Sequence, residues 1–333
     1  MKFYYYFVII FLVYPISVMA DNEILKPYKK QFITLLSEND NYSFMKTDRY
    51  YTNGLRIGYV SKEYDLFNEK NAMSWARYVS IASYNKPHIT RFHINLNQEM
   101  YTPSKHSSIP PKNDHLYGGF LYFNIGVYNR TQSSLEHIGV KLGFVGPWSF
   151  AKEAQTALHE LGDMLTFKGW DTQLANEFIF NPYYSYTYRG TVFQTKYISM
   201  DFLGTLEFAV GNADVHFGGY TQLRLGHNLH VDFGIPRINS MYDGSPANSN
   251  DFSMYVFVGG GSRVVLWNIF IQGNSASTRK GYDLNLLRSE VTCGLVISHN
   301  GYRIGYSYTY NTRDYTQQPH THAIGSITLE FAF

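Results

Sequence analysis

The sequence predicts an all-β protein, a transmembrane antiparallel β-barrel of about twelve strands. Aromatic residues make up 17% of the chain, whereas charged residues make up only 16%. A soluble domain usually carries about a quarter charged residues. After residue 20 there is no apolar stretch of 18 residues, so no membrane-spanning helix is predicted there. Barrels with aromatic girdles at both lipid interfaces combine these properties. A secreted, tyrosine-rich β-sandwich is the alternative.

The first 20 residues have the pattern of an export signal. Lys2 is followed by an apolar, aromatic-rich run that ends at Val18, and the small residue Ala20 closes the segment. This pattern predicts a cleaved signal peptide, residues 1–20, and then a single domain, residues 21–333. A retained membrane anchor is the alternative, but no basic stop-transfer segment follows.

Composition also excludes several classes of protein. The single cysteine, Cys293, rules out a Cys-anchored lipoprotein and an internal disulfide framework. The formal net charge of +2 is too small to indicate nucleic-acid binding. No feature of the sequence argues for dimerisation.

Apolar and polar residues alternate along most of the chain, as in strands with one lipid-facing and one polar face. In "YRIGYSYTY", Tyr302 and Ile304 share one face, while Arg303 and Ser307 share the other. An even number of strands is typical of bacterial barrels. The predicted strands are 31–38, 51–62, 88–100, 116–129, 134–146, 174–189, 195–210, 215–227, 252–271, 285–298, 301–312 and 321–333.

The last predicted strand alternates up to an aromatic end. In "SITLEFAF", Ile327, Leu329, Phe331 and Phe333 share one face. This ending resembles the terminal strand by which the outer-membrane assembly machinery recognises its clients. An ordinary edge strand is a weaker explanation, because an exposed apolar edge promotes aggregation.

One segment interrupts the strand pattern. Residues 146–170 contain good helix formers, and a helix is predicted from about Ser149 to Leu161, with Gly162 as its stop. The helix joins the fifth and sixth strands, so it lies on the extracellular rim. Gln155 and His159 are four residues apart and therefore share one face. A histidine there is suited to act as a general base near neutral pH, or it is simply a solvated helix residue.

A polar corner follows the first strand. Glu38, Asn39, Asp40 and Asn41 occupy four consecutive positions at the strand's extracellular end. Carboxylate and amide oxygens clustered in this way suit calcium. An Asx-rich turn in which Asp and Asn cap their own backbone is the alternative. Strict alternation would place Asn39 and Asp40 on opposite faces, so a shared site requires a strand end or a bulge here.

Two further polar elements are predicted to reach the same rim. Thr52 begins the second strand and is brought beside Asp40 by the first hairpin. Lys105 follows the third strand into another outer loop. Its ammonium group is suited to stabilise an oxyanion or to bind anionic headgroups.

These motifs together resemble the outer-membrane lipid A 3'-O-deacylase family. The segments "ENDN", "TDRYYTNG", "QEMYTPSK", "YGG", "GFVGP", "AQTALHE", "GW" and "QLANE" occur in the family's order across nearly the whole mature chain. The resemblance implies a twelve-stranded outer-membrane barrel that removes the 3'-linked acyloxyacyl group from lipid A, or lipopolysaccharide, with the help of Ca²⁺.

The resemblance also implies roles for Asn39, Asp40, Thr52, Lys105 and His159. Gln155, Asn41 and Asp163 are added from their positions beside these residues. The expected catalytic group comprises His159, Asn39, Lys105 and Gln155. The expected calcium ligands are Asp40, Asn41, Thr52 and Asp163. In this scheme His159 deprotonates water, and calcium together with Lys105 stabilises the oxyanion.

This chain departs from the family pattern at two places. Some relatives have an acidic residue six positions after the histidine, where Leu165 stands here, so Asp163 or Glu160 would substitute for it. The motif "NDHLYGG" has His-Leu before Tyr117, where relatives often have Arg-Pro.

Two other functions fit a barrel of this kind. The first is an esterase similar to outer-membrane phospholipase A, whose serine and histidine lie close together. The nearest counterpart, "ISHNG" at residues 297–301, falls at a predicted periplasmic turn. The second is a small porin or adhesin, which would need neither His159 nor calcium.

Overall fold

The computed structural model describes residues 25–44, 49–67, 74–82, 87–105, 107–109, 114–161, 166–276 and 281–333. The predicted signal peptide lies outside this part of the chain. The described residues form a closed antiparallel barrel in which each strand pairs with its sequence neighbours and the first strand pairs with the last. Its strands are β1 (Phe32–Asn39), β2 (Tyr50–Val60), β3 (Ile89–Thr102), β4 (Gly118–Arg130), β5 (Ser134–Val145), β6 (Glu177–Gln194), β7 (Ser199–Val210), β8 (Asp214–His227), β9 (Ser253–Asn268), β10 (Leu287–His299), β11 (Tyr302–Asn311) and β12 (His322–Ala332).

The predicted alternation gives the barrel an apolar wall and a polar interior. On β2, Ile57 is 62% exposed while its neighbour Arg56 is only 4% exposed. On β3, Ile94 and Leu96 face outward, whereas Asn95 and Asn97 are buried. The predicted twelve-stranded transmembrane fold is confirmed. No helix in the described ranges is long and apolar enough to cross a membrane.

The two ends of the barrel differ. Three of the connections at one end are tight, at residues 131–133, 195–198 and 300–301, and the chain enters and leaves the barrel at this end. Tight turns mark the periplasmic end of such barrels, and larger loops mark the extracellular end. We call the opposite end the outer rim. It carries the connections 40–49, 103–117 and 146–176, among others.

The connection between β8 and β9 fills the lumen. We call residues 228–252 the plug segment. Its Phe233, Met241 and Tyr242 pack against Leu203 and other inward-facing residues of the wall. Buried ion pairs also hold it: Asp232 lies 2.7 Å from the Arg303 guanidinium, and Asp243 lies 3.0 Å from that of Arg56. The great length of this connection therefore reflects an internal plug.

The predicted rim helix is present, with a later start. α1 (Ala151–Leu161) follows a 3-10 turn at Pro147–Ser149, and Phe150 between them has a left-handed backbone with φ 54°. A second, short helix, α2 (Ile269–Gln272), lies between β9 and β10. Gly162, the predicted stop of the rim helix, lies outside the described residues.

Candidate active site at the outer rim

The predicted irregularity at the end of β1 is present. The ladder of β1 runs as far as Asn39, which pairs with Gly325 on one side and Asn53 on the other. The chain then turns into a 3-10 helix at Asp40–Tyr42. The Asn39 amide oxygen accepts a hydrogen bond of 2.7 Å from the Asn41 backbone N–H. Asn39 is thus an N-cap, as the alternative Asx-turn interpretation expects.

Asp40 is the buried member of this corner. It has no exposed surface, although it lies in a connection at the rim. Its carboxylate accepts a hydrogen bond of 2.8 Å from the backbone N–H of Arg49, and its carbonyl accepts one of 2.6 Å from the Ser43 hydroxyl. Asn41, next to it, is exposed. The corner therefore presents one buried carboxylate beside amide groups of different accessibility.

Glu38 does not share the corner's direction. It faces the lumen, where it is 1% exposed and bonded to the plug segment and to neighbouring strands. The strand's alternation separates Glu38 from Asn39, and Asp40 follows in the 3-10 helix, where alternation no longer applies.

Thr52 lies at a bulge of β2. The pairing register between β2 and β3 shifts between Tyr51 and Asn53, so Thr52 has no partner residue in that ladder. Such bulges re-aim side chains. The Thr52 hydroxyl donates a hydrogen bond of 3.2 Å to the carbonyl of Met100 on β3.

α1 packs the face that carries His159 onto the barrel. Ala151, Gln155 and His159 follow each other at intervals of four residues and are all buried. The Gln155 side-chain oxygen accepts a 2.8 Å hydrogen bond from the Trp170 indole N–H. The ring of His159 lies 5.8 Å from the ring of Phe167. Glu160 lies on the exposed side of the helix.

Met100 connects the β1–β2 corner with α1. Its side chain belongs to one buried cluster with Ala151, Phe167 and Trp170. Its carbonyl is the group that receives the Thr52 hydroxyl. The corner and the face of α1 that carries His159 are therefore at the same end of the barrel. They lie beside neighbouring strands, β1 to β4.

Lys105 is not brought into this cluster. Lys105 is exposed in the loop after β3, and the described contacts do not join it to His159. The nearby loop is held by Ser104, whose N–H and hydroxyl both donate to Asp114. Asp163 and Leu165 lie outside the described residues.

The corner's oxygen atoms fit a hard cation. Among the described residues, no group of three or more His, Cys, Asp or Glu forms a metal site. Calcium does not require three acids, since amide, hydroxyl and carbonyl oxygens also serve as its ligands. Asp40 supplies a buried carboxylate, and Asn41 and Thr52 supply neutral oxygens. Asn39 is less suited, because its side-chain oxygen already caps a backbone N–H.

Sequence reasoning overlooked two features of the site. The first is Trp170, which was considered only as part of a motif although its indole binds Gln155. Its position soon after an amphipathic helix was the available signal. The lumenal role of Glu38 carried no local signal, because its partners Ile238 and Asn239 are 200 and 201 residues away.

The "ISHNG" segment lies far from this site. Ser298 and His299 end β10 at the periplasmic end, just before the turn at residues 300–301. This position does not provide a serine and histidine at the outer rim.

A closed twelve-stranded wall with a lipid-facing exterior and a polar corner beneath a rim helix defines an integral outer-membrane barrel protein with a candidate site at its lipid interface. The family model "Outer membrane protein LpxR" matches residues 6–333. The chain therefore belongs to the LpxR family, which confirms the family indicated by its motifs, and its place is the outer membrane.

Structural comparison supports the same fold. The structure of LpxR from Salmonella typhimurium superposes with a TM-score of 0.73 at 18% identity, over 91% of this chain and 100% of that chain. The β domain of the Bordetella autotransporter BrkA gives a TM-score of 0.44 at 11% identity, over 91% of this chain and 98% of that chain. A search of curated protein sequences finds no match.

Proposed function

We propose that this protein is a calcium-dependent outer-membrane lipid A 3'-O-deacylase, which hydrolyses the ester that holds the 3'-acyloxyacyl group. Membership of the LpxR family supports the coarser statement, lipid A deacylation in the outer membrane. The observation that carries the finer proposal is the buried cluster around Met100. The Met100 carbonyl accepts the Thr52 hydroxyl, and its side chain packs with Ala151 of α1 and with Phe167, whose ring lies beside that of His159.

The position of the site suits a lipid substrate. Met100, which pairs with Asn53 across β2 and β3, packs against Ala151 at the start of α1. Exposed apolar side chains, including Trp148 and Phe150, stand beside the helix. A lipid of the outer leaflet would reach this rim with its acyl chains still in the membrane.

The chemistry assigned to His159 is general acid–base catalysis. Its imidazole takes a proton from a water molecule as the water oxygen attacks the ester carbonyl carbon. When the bond between the carbonyl carbon and the sugar oxygen breaks, the same proton passes to that oxygen, and the acyloxyacyl group leaves as a free carboxylic acid. Gln155, one turn earlier and fixed by Trp170, holds the helix face that carries the imidazole in place.

The negative charge on the carbonyl oxygen needs nearby positive groups. Lys105 extends from an outer loop and is the side chain assigned to this role. Asp40, Asn41 and Thr52 are the described residues proposed to hold calcium, which supplies positive charge when bound. Asp163 completes the proposed set.

The test is the mass of lipid A from outer membranes that contain the protein. We expect the wild type to remove one acyloxyacyl group, and His159→Ala and Asp40→Ala to lose at least about a hundredfold in rate. His299→Ala, at the periplasmic end, is the matched control and should retain activity. Chelation by EGTA should abolish activity, and added calcium should restore it.

Two results would contradict the proposal. Unchanged lipid A in the presence of correctly folded wild type would remove the deacylase assignment. Fatty acid released from glycerophospholipids would favour the phospholipase alternative instead.

A further inference from the structure

The carboxylate of Glu38 joins the plug segment to three strands. It accepts hydrogen bonds from the Tyr51 hydroxyl at 2.8 Å and the Ser326 hydroxyl at 3.0 Å. It also accepts the backbone N–H groups of Ile238 at 3.0 Å and Asn239 at 3.1 Å. Four donors on one buried carboxylate form a firm junction, because bonds to a charged acceptor are the stronger ones.

This junction lies directly beside the candidate site. Glu38 precedes Asn39 and Asp40, and Tyr51 precedes Thr52. At these positions the regular ladder fails: β1 ends at Asn39, and β2 is bulged at Thr52. The backbone that carries the proposed calcium ligands therefore lacks some of the hydrogen bonds of a regular sheet. The hydrogen bonds of Glu38 in the lumen hold it instead.

The part of the plug segment that meets Glu38 is itself well held. The backbone N–H of Arg237 donates to Asp243 at 3.1 Å, and the same carboxylate pairs with Arg56 on β2. The side chain of Ile238 lies against Gly54, where an added Cβ would come within 3.3 Å of its terminal carbon. Because this part of the plug segment is held in place, the backbone groups that donate to Glu38 are held in place as well.

We propose that Glu38 is a positioning residue and that the plug segment, through Glu38, sets the geometry of the corner formed by Asn39, Asp40 and Thr52. In this scheme the plug segment supports catalysis as well as closing the barrel. This inference rests on the proposed function of the corner, and it adds a support that comes from the lumen.

Glu290 offers a matched control. It is a buried glutamate on β10 that also holds the plug segment, accepting the Ser240 hydroxyl at 2.6 Å and the Met241 N–H at 3.1 Å. It is not adjacent to the corner in sequence or along the barrel wall. Its carboxylate also lies 3.8 Å from the Arg237 guanidinium in the plug segment. Glu290→Gln therefore weakens the plug without removing a hydrogen bond from Glu38 or from the corner.

The experiment compares Glu38→Gln, Glu290→Gln and Tyr51→Phe with the wild type, using purified lipid A and only the heat-modifiable, folded fraction of each protein. We expect Glu38→Gln to lower kcat about tenfold with KM within about twofold, since the substrate surface is unchanged while the reacting groups are displaced. Glu290→Gln should stay within about twofold of wild type. Tyr51→Phe, which removes one bond and keeps the carboxylate, should lie between them.

Hydrogen exchange supplies a readout that does not depend on activity. Peptides covering residues 37–44 and 50–55 should exchange faster in Glu38→Gln than in Glu290→Gln, whereas plug peptides should change in both. Equal kcat in the two glutamine variants, or unchanged exchange at the corner, overturns the inference. A wild type that releases no acyl group overturns the proposed function instead, and the exchange comparison still decides the role of Glu38 in holding the corner.

Discussion

At the scale of single residues, the rim helix depends on a side-chain hydrogen bond that no periodicity reveals. Gln155 is 4% exposed and Trp170 is 2% exposed, so the bond between them is shielded from water. A buried polar group that loses its partner keeps its full desolvation cost. The Trp170 indole therefore holds both the helix and the face that carries His159.

Trp170→Phe tests this bond. Phenylalanine keeps most of the apolar contact with Met100 and Tyr117 but leaves the Gln155 oxygen without its donor. We expect a loss of about 1–3 kcal/mol in the stability of the packed helix, and a several-fold fall in deacylation rate. Lipid A mass spectrometry and limited proteolysis at α1 measure the two effects.

Trp267→Phe is the control for that substitution. Its indole donates a hydrogen bond of 2.8 Å to the carbonyl of Asn212 on another part of the wall. It should cost comparable stability while deacylation per folded molecule stays at the wild-type level. Equal activity losses in both variants would mean that the Trp170 bond has no special link to the site.

At the scale of elements, the position of α1 depends on a strand residue without a side chain. A Cβ built at Gly119 of β4 would lie 2.1 Å from the Ser149 hydroxyl oxygen and 2.2 Å from the Cβ of Ala151. These distances are far below van der Waals contact, so any other residue would displace the start of the helix. The glycine therefore decides how closely α1 approaches the wall.

Gly119→Ala should consequently reduce activity while leaving the barrel intact. Overpacking of this kind costs about 1–3 kcal/mol. A displacement of about 1 Å at the reacting groups is enough for a loss of up to about a hundredfold in rate. Heat-modifiable migration in gels reports the folded barrel, and lipid A mass reports the rate.

Gly204→Ala on β7 is the matched glycine substitution, because a Cβ at this position would meet no atom within 4 Å beyond its own chain neighbours. It should fold and deacylate as the wild type does. Full activity in Gly119→Ala would show that the helix adjusts without moving His159.

At the scale of the whole molecule, the lumen is packed. The plug segment lies in the lumen and is bonded to several strands of the wall, through Arg91 of β3, Arg224 of β8 and Arg303 of β11. One cavity beside it measures about 110 Å³ and is lined by charged residues of both signs. A continuous aqueous path of the porin type does not fit this interior.

Planar-bilayer recording tests that conclusion. We expect purified protein to give no stable channel steps, because opening a pore would require breaking buried ion pairs at Asp232 and Asp243. Deletion of residues 236–243 should produce measurable conductance. Regular, porin-sized steps from the intact protein would favour the porin alternative.

The stability of the whole barrel should depend on pH through Glu63. This buried carboxylate, in the connection between β2 and β3, accepts hydrogen bonds from Arg130 at 2.6 Å and the Tyr28 N–H at 2.7 Å. Burial alone would raise the pKa of Glu63, but Arg91 and Arg130 lower it below its usual value. Its stabilising contribution is thus complete above the ordinary carboxyl pKa of about 4.3 and is lost as pH falls through the lower folded value.

Glu63→Gln should therefore lower the free energy of unfolding by about 3–5 kcal/mol at pH 7, since it leaves two arginines without their buried partner. The loss should shrink at pH 3, which lies below the ordinary carboxyl pKa of about 4.3, because the unfolded chain then binds a proton at this position. Urea titration in micelles at both pH values measures this. Asp251→Asn, on an exposed aspartate, should show neither effect, and a pH-independent difference for Glu63→Gln would refute the assignment.

How far prediction succeeded also depends on scale. Alternation placed all twelve strands, because a lipid-facing wall and a polar lumen leave a period of two in each strand. Boundaries were less exact: β6 runs over Glu177–Gln194 instead of 174–189, since its pairing with β7 continues to Gln194 and Ser199. The strand end at Asn39 was anticipated from the conflict between alternation and a shared site. The plug was not predicted, because alternation marks strands and carries no information on where a connection lies.

The sequence by itself determined the barrel, the rim helix, the family and the set of residues expected at the site, because periodicity, composition and motif order are local or linear properties of a chain. Only the tertiary structure decided that Glu38 turns to the lumen, that Met100 joins Thr52 to α1, and that the plug braces the wall. These contacts join residues far apart in sequence, and the closure of the sheet, which no local pattern encodes, fixes which of them meet.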